Sequence, residues 1–117
     1  MKKFKIGKLT LDHNDPPFVI AEIGINHNGN LDRAINIADK AILYGAEIIK
    51  HQTHIVDEEM SEEAKKAIPG NSKLSIYEIM KNCSLSETEE KKLMNYIKSR
   101  NKIFISSPFS IAAADRL

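Results

Sequence analysis

The sequence predicts an α/β chain forming the N-terminal portion of a (β/α)8 TIM barrel, about three βα units preceded by a β-hairpin. Three observations carry that prediction. Short apolar stretches alternate with capped helical stretches, the order expected of parallel strands joined by right-handed crossovers. Three such strands are too few for the common closures, since a doubly wound sheet has about five or six and a barrel has eight in roughly 250 residues. The chain has 117 residues, and its last helical pattern is still running at Leu117. We therefore expect a partial barrel domain over 1–117, with the hairpin at 3–12, the barrel start at 18–117 and the remaining barrel absent. Missing neighbours should leave an apolar strip exposed along the last strand and final helix.

Each element has its own local cause. Residues 3–12 alternate apolar and polar around Gly7-Lys8, a hairpin signal with Phe4, Ile6, Leu9 and Leu11 as the apolar set. Asn14-Asp15-Pro16-Pro17 stiffens the entry to a strand from Phe18 to Ile23, which is apolar except for Glu22. A loop rich in Gly and Asn follows. Asn30 caps a helix from Leu31 to about Tyr44 that Gly45 stops. A strand spans 47–52. Ser61 caps Glu62–Ile68, which Pro69-Gly70 ends. Ser75 with Glu78, and Ser86 with Glu89, are capping-box pairs opening helices over 76–82 and 87–99. Leu93, Met94, Tyr96 and Ile97 form the inner side of the second. Lys102–Ser106 is the third strand, and Ser110 caps the final helix.

Composition narrows the function classes. The chain is 42% hydrophobic and 28% charged with net charge +1, and its basic residues form no stripe beyond Lys2, Lys3, Lys5 and Lys8. That balance argues against nucleic acid or a membrane surface as partner. No apolar run approaches the ~20 residues of a membrane span, and no signal peptide is visible. The lone Cys83 excludes an internal disulfide, fits a reducing cytoplasm and is expected as a core residue at a helix end.

The chemistry gathers at the C-terminal ends of the strands, the edge where parallel α/β folds place their sites. Glu22 ends the first strand, Lys50 and Gln52 the second, Ser106 and Ser107 the third. Side chains alternate along a strand, so Ile20 with Glu22, then Ile48, Lys50 and Gln52, then Ile103, Ile105 and Ser107 form three matching sets. If these sets share one side of the sheet, a carboxylate, an ammonium, an amide and a hydroxyl converge. An ammonium with a hydroxyl suits a phosphate or carboxylate, and a carboxylate with an amide suits sugar hydroxyls. The bland alternative is an ion pair between Glu22 and Lys50 with no ligand. The histidines suggest a metal less than their number implies. His51 and His54 lie on opposite sides of an extended strand, His27 has only amide neighbours in its loop, and His13 sits in the entry turn. No convincing metal site is present in the sequence.

Several separated motifs resemble the sialic acid synthase (N-acetylneuraminate synthase) family. They are Phe18-Val-Ile-Ala-Glu-Ile-Gly24 with Asn26-His27-Asn28-Gly29, Ile49-Lys-His-Gln-Thr53, Ile68-Pro-Gly-Asn71, Ser75-Ile-Tyr-Glu-Ile-Met80 and Phe104-Ile-Ser-Ser-Pro-Phe109. The resemblance implies a TIM barrel followed by a small antifreeze-like C-terminal domain in a homodimer. It implies condensation of phosphoenolpyruvate with N-acetylmannosamine to give N-acetylneuraminate and phosphate, aided by a divalent Mn²⁺ or Mg²⁺ whose ligands lie outside this chain. Relatives making legionaminic or pseudaminic acid share the scaffold. Carried over by position, Lys50 and Ser107 correspond to phosphoenolpyruvate contacts, with Ser107 standing where Thr is usual. Glu22 corresponds to the catalytic, sugar-binding glutamate, and Gln52 and Asn71 to further sugar contacts. With much of the site downstream, the isolated chain is expected to be inactive, a truncated product of an enzyme family.

Overall fold

A computed structural model of the chain describes residues 3–117. Gly7, at φ +56°, turns the chain between β1 (Phe4–Ile6) and β2 (Leu9–Leu11), which pair antiparallel with Phe4 opposite Leu11. Gly7 also approaches Ile103, so the hairpin packs at the N-terminal end of the main sheet. That sheet holds three parallel strands in the order β3 (Ile20–Gly24), β4 (Ile48–Thr53), β5 (Ile103–Pro108). The architecture is α/β, as predicted, and the sheet formed by these residues is open.

The helices start where their caps stand. Asn30 accepts from Arg33 N at the head of α1 (Leu31–Leu43), and Gly45 at φ +99° ends the turn beyond it. Reciprocal capping boxes open α3 (Ile76–Cys83) and α4 (Glu87–Ser99), while Ser110 caps α5 (Ile111–Arg116). The helix α2 (Glu62–Lys65) is shorter than predicted. Its end tightens into turns donated by Lys66 and Ala67, because Pro69 disfavours helical backbone at Ile68. A 3₁₀ turn at Val56–Glu58, which the sequence reading lacks, follows β4. Both β4 and β5 run beyond their predicted ends, to Thr53 and Pro108, since pairing between them continues that far.

The core lies between one side of the sheet and the helices α1 and α4. Ile23 and Ile49 meet Ala34, Ala38, Leu93 and Ile97, all essentially buried. Each large aliphatic side chain so buried contributes about 1.5–3 kcal/mol. The alanines let α1 come close, and Tyr96 ties the two helices by donating its hydroxyl hydrogen to Asp39 at 2.8 Å. The loop before α1 is held just as tightly. At Gly29, φ +69°, an added Cβ would come within 2.3 Å of the Asn82 carbonyl, so only glycine fits both the backbone and the space. Cys83 departs from its expected core position. It is half-buried at the end of α3, a helix that buries no residue fully, with Sγ 3.9 Å from Asn28 Oδ1.

The expected apolar strip is found only in part, since Ile103, Phe104 and Ile105 of β5 are half-buried and the open side chains lie past the strand. Ile111 is 84% exposed, and Phe109 and Leu117 are about half exposed, all at or beyond the end of β5. Leu43 and Tyr44 are also open, at the far end of α1. Among the described residues no helix is long and apolar enough to cross a membrane.

Candidate active site

Strand register turns the alternation pattern into geometry. Ile20, Ile48 and Ile103 form one row across the sheet, Glu22, Lys50 and Ile105 the next, and Gln52 with Ser107 the row above. In a parallel sheet, residues in one row point the same way. The odd-numbered partners in β4, Ile49 and His51, face the helices, which leaves Glu22, Lys50, Gln52 and Ser107 on the opposite, open side.

Lys50 Nζ donates to Glu22 Oε2, and the backbone N–H of Gly24 donates to Glu22 Oε1 at 2.8 Å. Both side chains remain about one-third exposed or more, so this pair contributes only about 0–1 kcal/mol to stability. A partly solvated lysine and carboxylate at a sheet edge are available to a ligand. The ion pair and a ligand-binding role for Lys50 are therefore compatible.

Gln52 is held from the side. Its Oε1 lies 3.2 Å from His54 Nε2, and His54 Nδ1 lies 2.9 and 3.0 Å from the two oxygens of Glu59. The imidazole stacks on Phe109 with ring centres 4.3 Å apart. Met60, Ile76, Met80 and Phe109 line an apolar hollow beside this dyad. Glu59 and the role of His54 escaped the sequence reading, which treated His54 only as a rejected metal ligand. Asn71 stands apart, exposed in the turn between α2 and α3, and the hydrogen bonds of the strand ends do not reach it.

The helix-covered side carries a second polar system. His27, still in its loop, is fully buried and hydrogen-bonded, because the loop folds back onto β4. Gly29 N–H donates to His27 Nδ1 at 3.2 Å, and His27 Nε2 lies 3.3 Å from His51 Nε2. His51 Nδ1 lies 3.1 Å from Glu90 Oε1, which also accepts from Thr53. An acceptor at His27 Nδ1 puts the proton on its Nε2, which donates to His51. His51 then donates from Nδ1 to Glu90. One direction of donation satisfies every nitrogen with both rings neutral. Ser106 belongs here too, 2.7 Å from Thr53 Oγ1, so of the two serines only Ser107 serves the open side.

Burial first, and repulsion from His51 second, lower the His27 pKa from 6.5 to about 4. A base depressed on folding takes up its proton in the unfolded chain first. Stability is thus full above pH 6.5, falls as pH drops towards 4, and levels below that. The loss is on the order of 3 kcal/mol. Urea midpoints measured across that range should fall, and His27→Gln should flatten the slope. A wild-type midpoint constant from pH 6.5 to 4 would refute this account.

The buried imidazoles are fully engaged within the protein. Their nitrogens are committed to one another, to Gly29 and to Glu90. Among the described residues no three His, Cys, Asp or Glu side chains gather as a metal site. The donor atoms of these described side chains are committed to one another and leave no open set for a divalent ion.

Comparison with known proteins assigns this geometry to a family. A model of the NeuB family matches residues 35–117. An uncharacterized protein of Methanocaldococcus jannaschii is 32% identical over all of this chain, which covers 32% of that protein. The N,N'-diacetyllegionaminic acid synthase of Campylobacter jejuni is 33% identical over 85% of the chain, covering 31% of the enzyme. The crystal structure of the N-acetylneuraminic acid (sialic acid) synthetase of Leptospira borgpetersenii, in complex with citrate, superposes with a TM-score of 0.81. It is 25% identical and covers 99% of this chain and 37% of that one. The chain spans about a third of the length of the curated relatives it matches. On the matched motifs, the strand order and the shared architecture, the chain belongs to the NeuB family, whose relatives include sialic acid and legionaminic acid synthases.

Proposed function

We propose that this chain supplies one wall of the active site of a synthase that condenses phosphoenolpyruvate with an N-acetylmannosamine-like sugar, giving N-acetylneuraminate and phosphate. The observation that carries the reading is the pair of adjacent rows at the C-terminal edge, Glu22 with Lys50 and Gln52 with Ser107. In it, the Lys50 ammonium and the Ser107 hydroxyl hold the anionic groups of phosphoenolpyruvate. Glu22 and Gln52 hold the sugar beside it, with Asn71 contributing from its turn. Carbon–carbon bond formation joins the phosphoenolpyruvate methylene to the sugar aldehyde, water adds at the neighbouring carbon, and phosphate leaves. Of the four strand-end groups, the Glu22 carboxylate is the ready proton acceptor, and release from Lys50 on anion binding frees it for that role.

The parallel sheet is the opening of a (β/α)8 barrel in this reading. A divalent ion, the remaining sugar contacts and an antifreeze-like domain from the second subunit of a cytoplasmic homodimer complete the site from outside this chain. A second reading, a synthase for a related nonulosonic acid, is favoured by the name of the Campylobacter relative.

The protein encoded by the whole reading frame, given phosphoenolpyruvate, Mn²⁺ and N-acetylmannosamine or a 2,4-diacetamido sugar, should release phosphate only when both substrates are present. No sugar-dependent release with either would overturn the proposal. The purified 117 residues alone should form no product, because their strand ends line one side of a site. Turnover by that fragment would show that one wall suffices.

A further inference from the structure

We infer that Thr53, which faces the helices behind the site, is a positioning residue for the condensation: its hydroxyl sets where Gln52 stands relative to Ser107. The role rests on the reading of Gln52 as a sugar contact and Ser107 as a phosphoenolpyruvate contact. It adds the group that fixes the two substrates relative to each other.

Gln52 and Ser107 stand opposite one another in the β4–β5 register. Thr53 follows Gln52 in the chain, Ser106 precedes Ser107, and both turn to the helix-covered side. Their hydroxyl oxygens lie 2.7 Å apart. Thr53 is opposite Pro108 and Ser106 is opposite His51, so this bridge runs diagonally and crosses behind the Gln52–Ser107 pair. A diagonal tie changes length when one strand slides along the other, so it holds the pair at one offset.

Each hydroxyl hydrogen in the bridge has one place to go. Burial opposes ionisation of Glu90, but the hydrogen bonds from His51 and Thr53 outweigh it, so at pH 7 Glu90 is a carboxylate and only accepts. Thr53 therefore gives its single hydroxyl hydrogen to Glu90, and Ser106 donates to Thr53 Oγ1. Glu90 anchors the bridge on α4, and its second oxygen lies 3.5 Å from Arg116 of α5.

Stability alone gives no reason for this polar set. Thr53 is 1% exposed, on the side of the sheet where Ile49 and Leu93 are fully buried. Buried ionic groups are often no more stabilising than apolar side chains of similar volume. Hydrogen bonds add direction, which apolar contact lacks. The backbone pairing is also running out at this point. Pro108 has no N–H to offer, and the Phe109 N–H closes the pairing by donating to the Thr53 carbonyl at 3.3 Å.

The test uses the protein encoded by the whole reading frame. Thr53→Val keeps the shape and removes the hydroxyl. Ile97→Val, seven positions along α4 from Glu90, is the control for a comparable loss of stability. At saturating phosphoenolpyruvate and sugar, Thr53→Val should lower the single-turnover rate about tenfold. Each KM should stay within about threefold, because each substrate still meets its own contact. Thr53→Ser, which returns the hydroxyl, should recover most of the rate. A Thr53→Val rate like that of the wild type, or an equal loss in Ile97→Val, would make Thr53 a structural residue only and refute the assignment. Hydrogen exchange gives a readout that needs no turnover. The Phe109 amide should exchange about tenfold faster in Thr53→Val than in Ile97→Val, and equal exchange would also overturn the assignment. Should the protein turn over no sugar, the exchange result still decides whether the bridge holds the strand ends, and that failure falls on the proposed reaction alone.

Discussion

Lys50→Ala is expected to lower kcat/KM for phosphoenolpyruvate about a hundredfold, equivalent to about 2.8 kcal/mol, while leaving KM for the sugar within a few fold. The size follows from removing a charge-assisted hydrogen bond to an anion at a sheet edge. The direction follows from the role proposed for Lys50, which would leave Glu22 for the incoming anion. Stability should change by less than about 1 kcal/mol, because the pair it breaks is half solvated. This combination separates a binding role from a folding role. Kinetics with phosphoenolpyruvate varied at saturating sugar would test it, and an unchanged dependence on phosphoenolpyruvate would remove Lys50 from the site.

Glu90→Ala should have the largest effect on folding, about 3–5 kcal/mol, because it strands buried partners instead of solvated ones. His51 and Thr53 would lose their acceptor, and Arg116 would lose a carboxylate 3.5 Å away. Burial pushes the Glu90 carboxyl up, but the hydrogen bonds from His51 and Thr53, with the charge of Arg116, outweigh it and hold its pKa below the ordinary 4.5. A carboxyl depressed on folding contributes stability that is full above its unfolded pKa and is lost as pH falls through the folded value. Glu90 thus adds acid sensitivity below about pH 4.5, from the lower end of the window in which His27 acts downward. Glu90→Gln, which keeps the acceptor and loses the charge, should cost distinctly less than Glu90→Ala. Denaturant unfolding near pH 7 measures both, and a cost under about 1 kcal/mol for the alanine variant would contradict the network.

Much of this protein was legible one residue at a time. Ser75 with Glu78 and Ser86 with Glu89 announced two helices to within a residue, since a capping box is satisfied by neighbours three positions apart. The alternation of Ile48, Lys50 and Gln52 placed those side chains together because strand geometry has a period of two. Glu90 was readable in principle. It precedes Leu93 and Ile97 by three and seven positions on α4, so it shares their buried stripe, but a charged residue there was passed over among solvated ones.

The sequence by itself determined where the helices begin, which strand residues share a side, and the family to which the motifs point, because each depends on local spacing, whereas the first strand opens at Ile20 and not at Phe18. Only the tertiary structure decided that Glu22 and Lys50 stand in one row, that His27 reaches His51 across 24 positions, and that His54 and Glu59 grip Gln52. Those outcomes depend on strand register and on how loops fold back over the sheet. A one-residue slip of register would have turned Lys50 and Gln52 into the core and left His51 at the open edge.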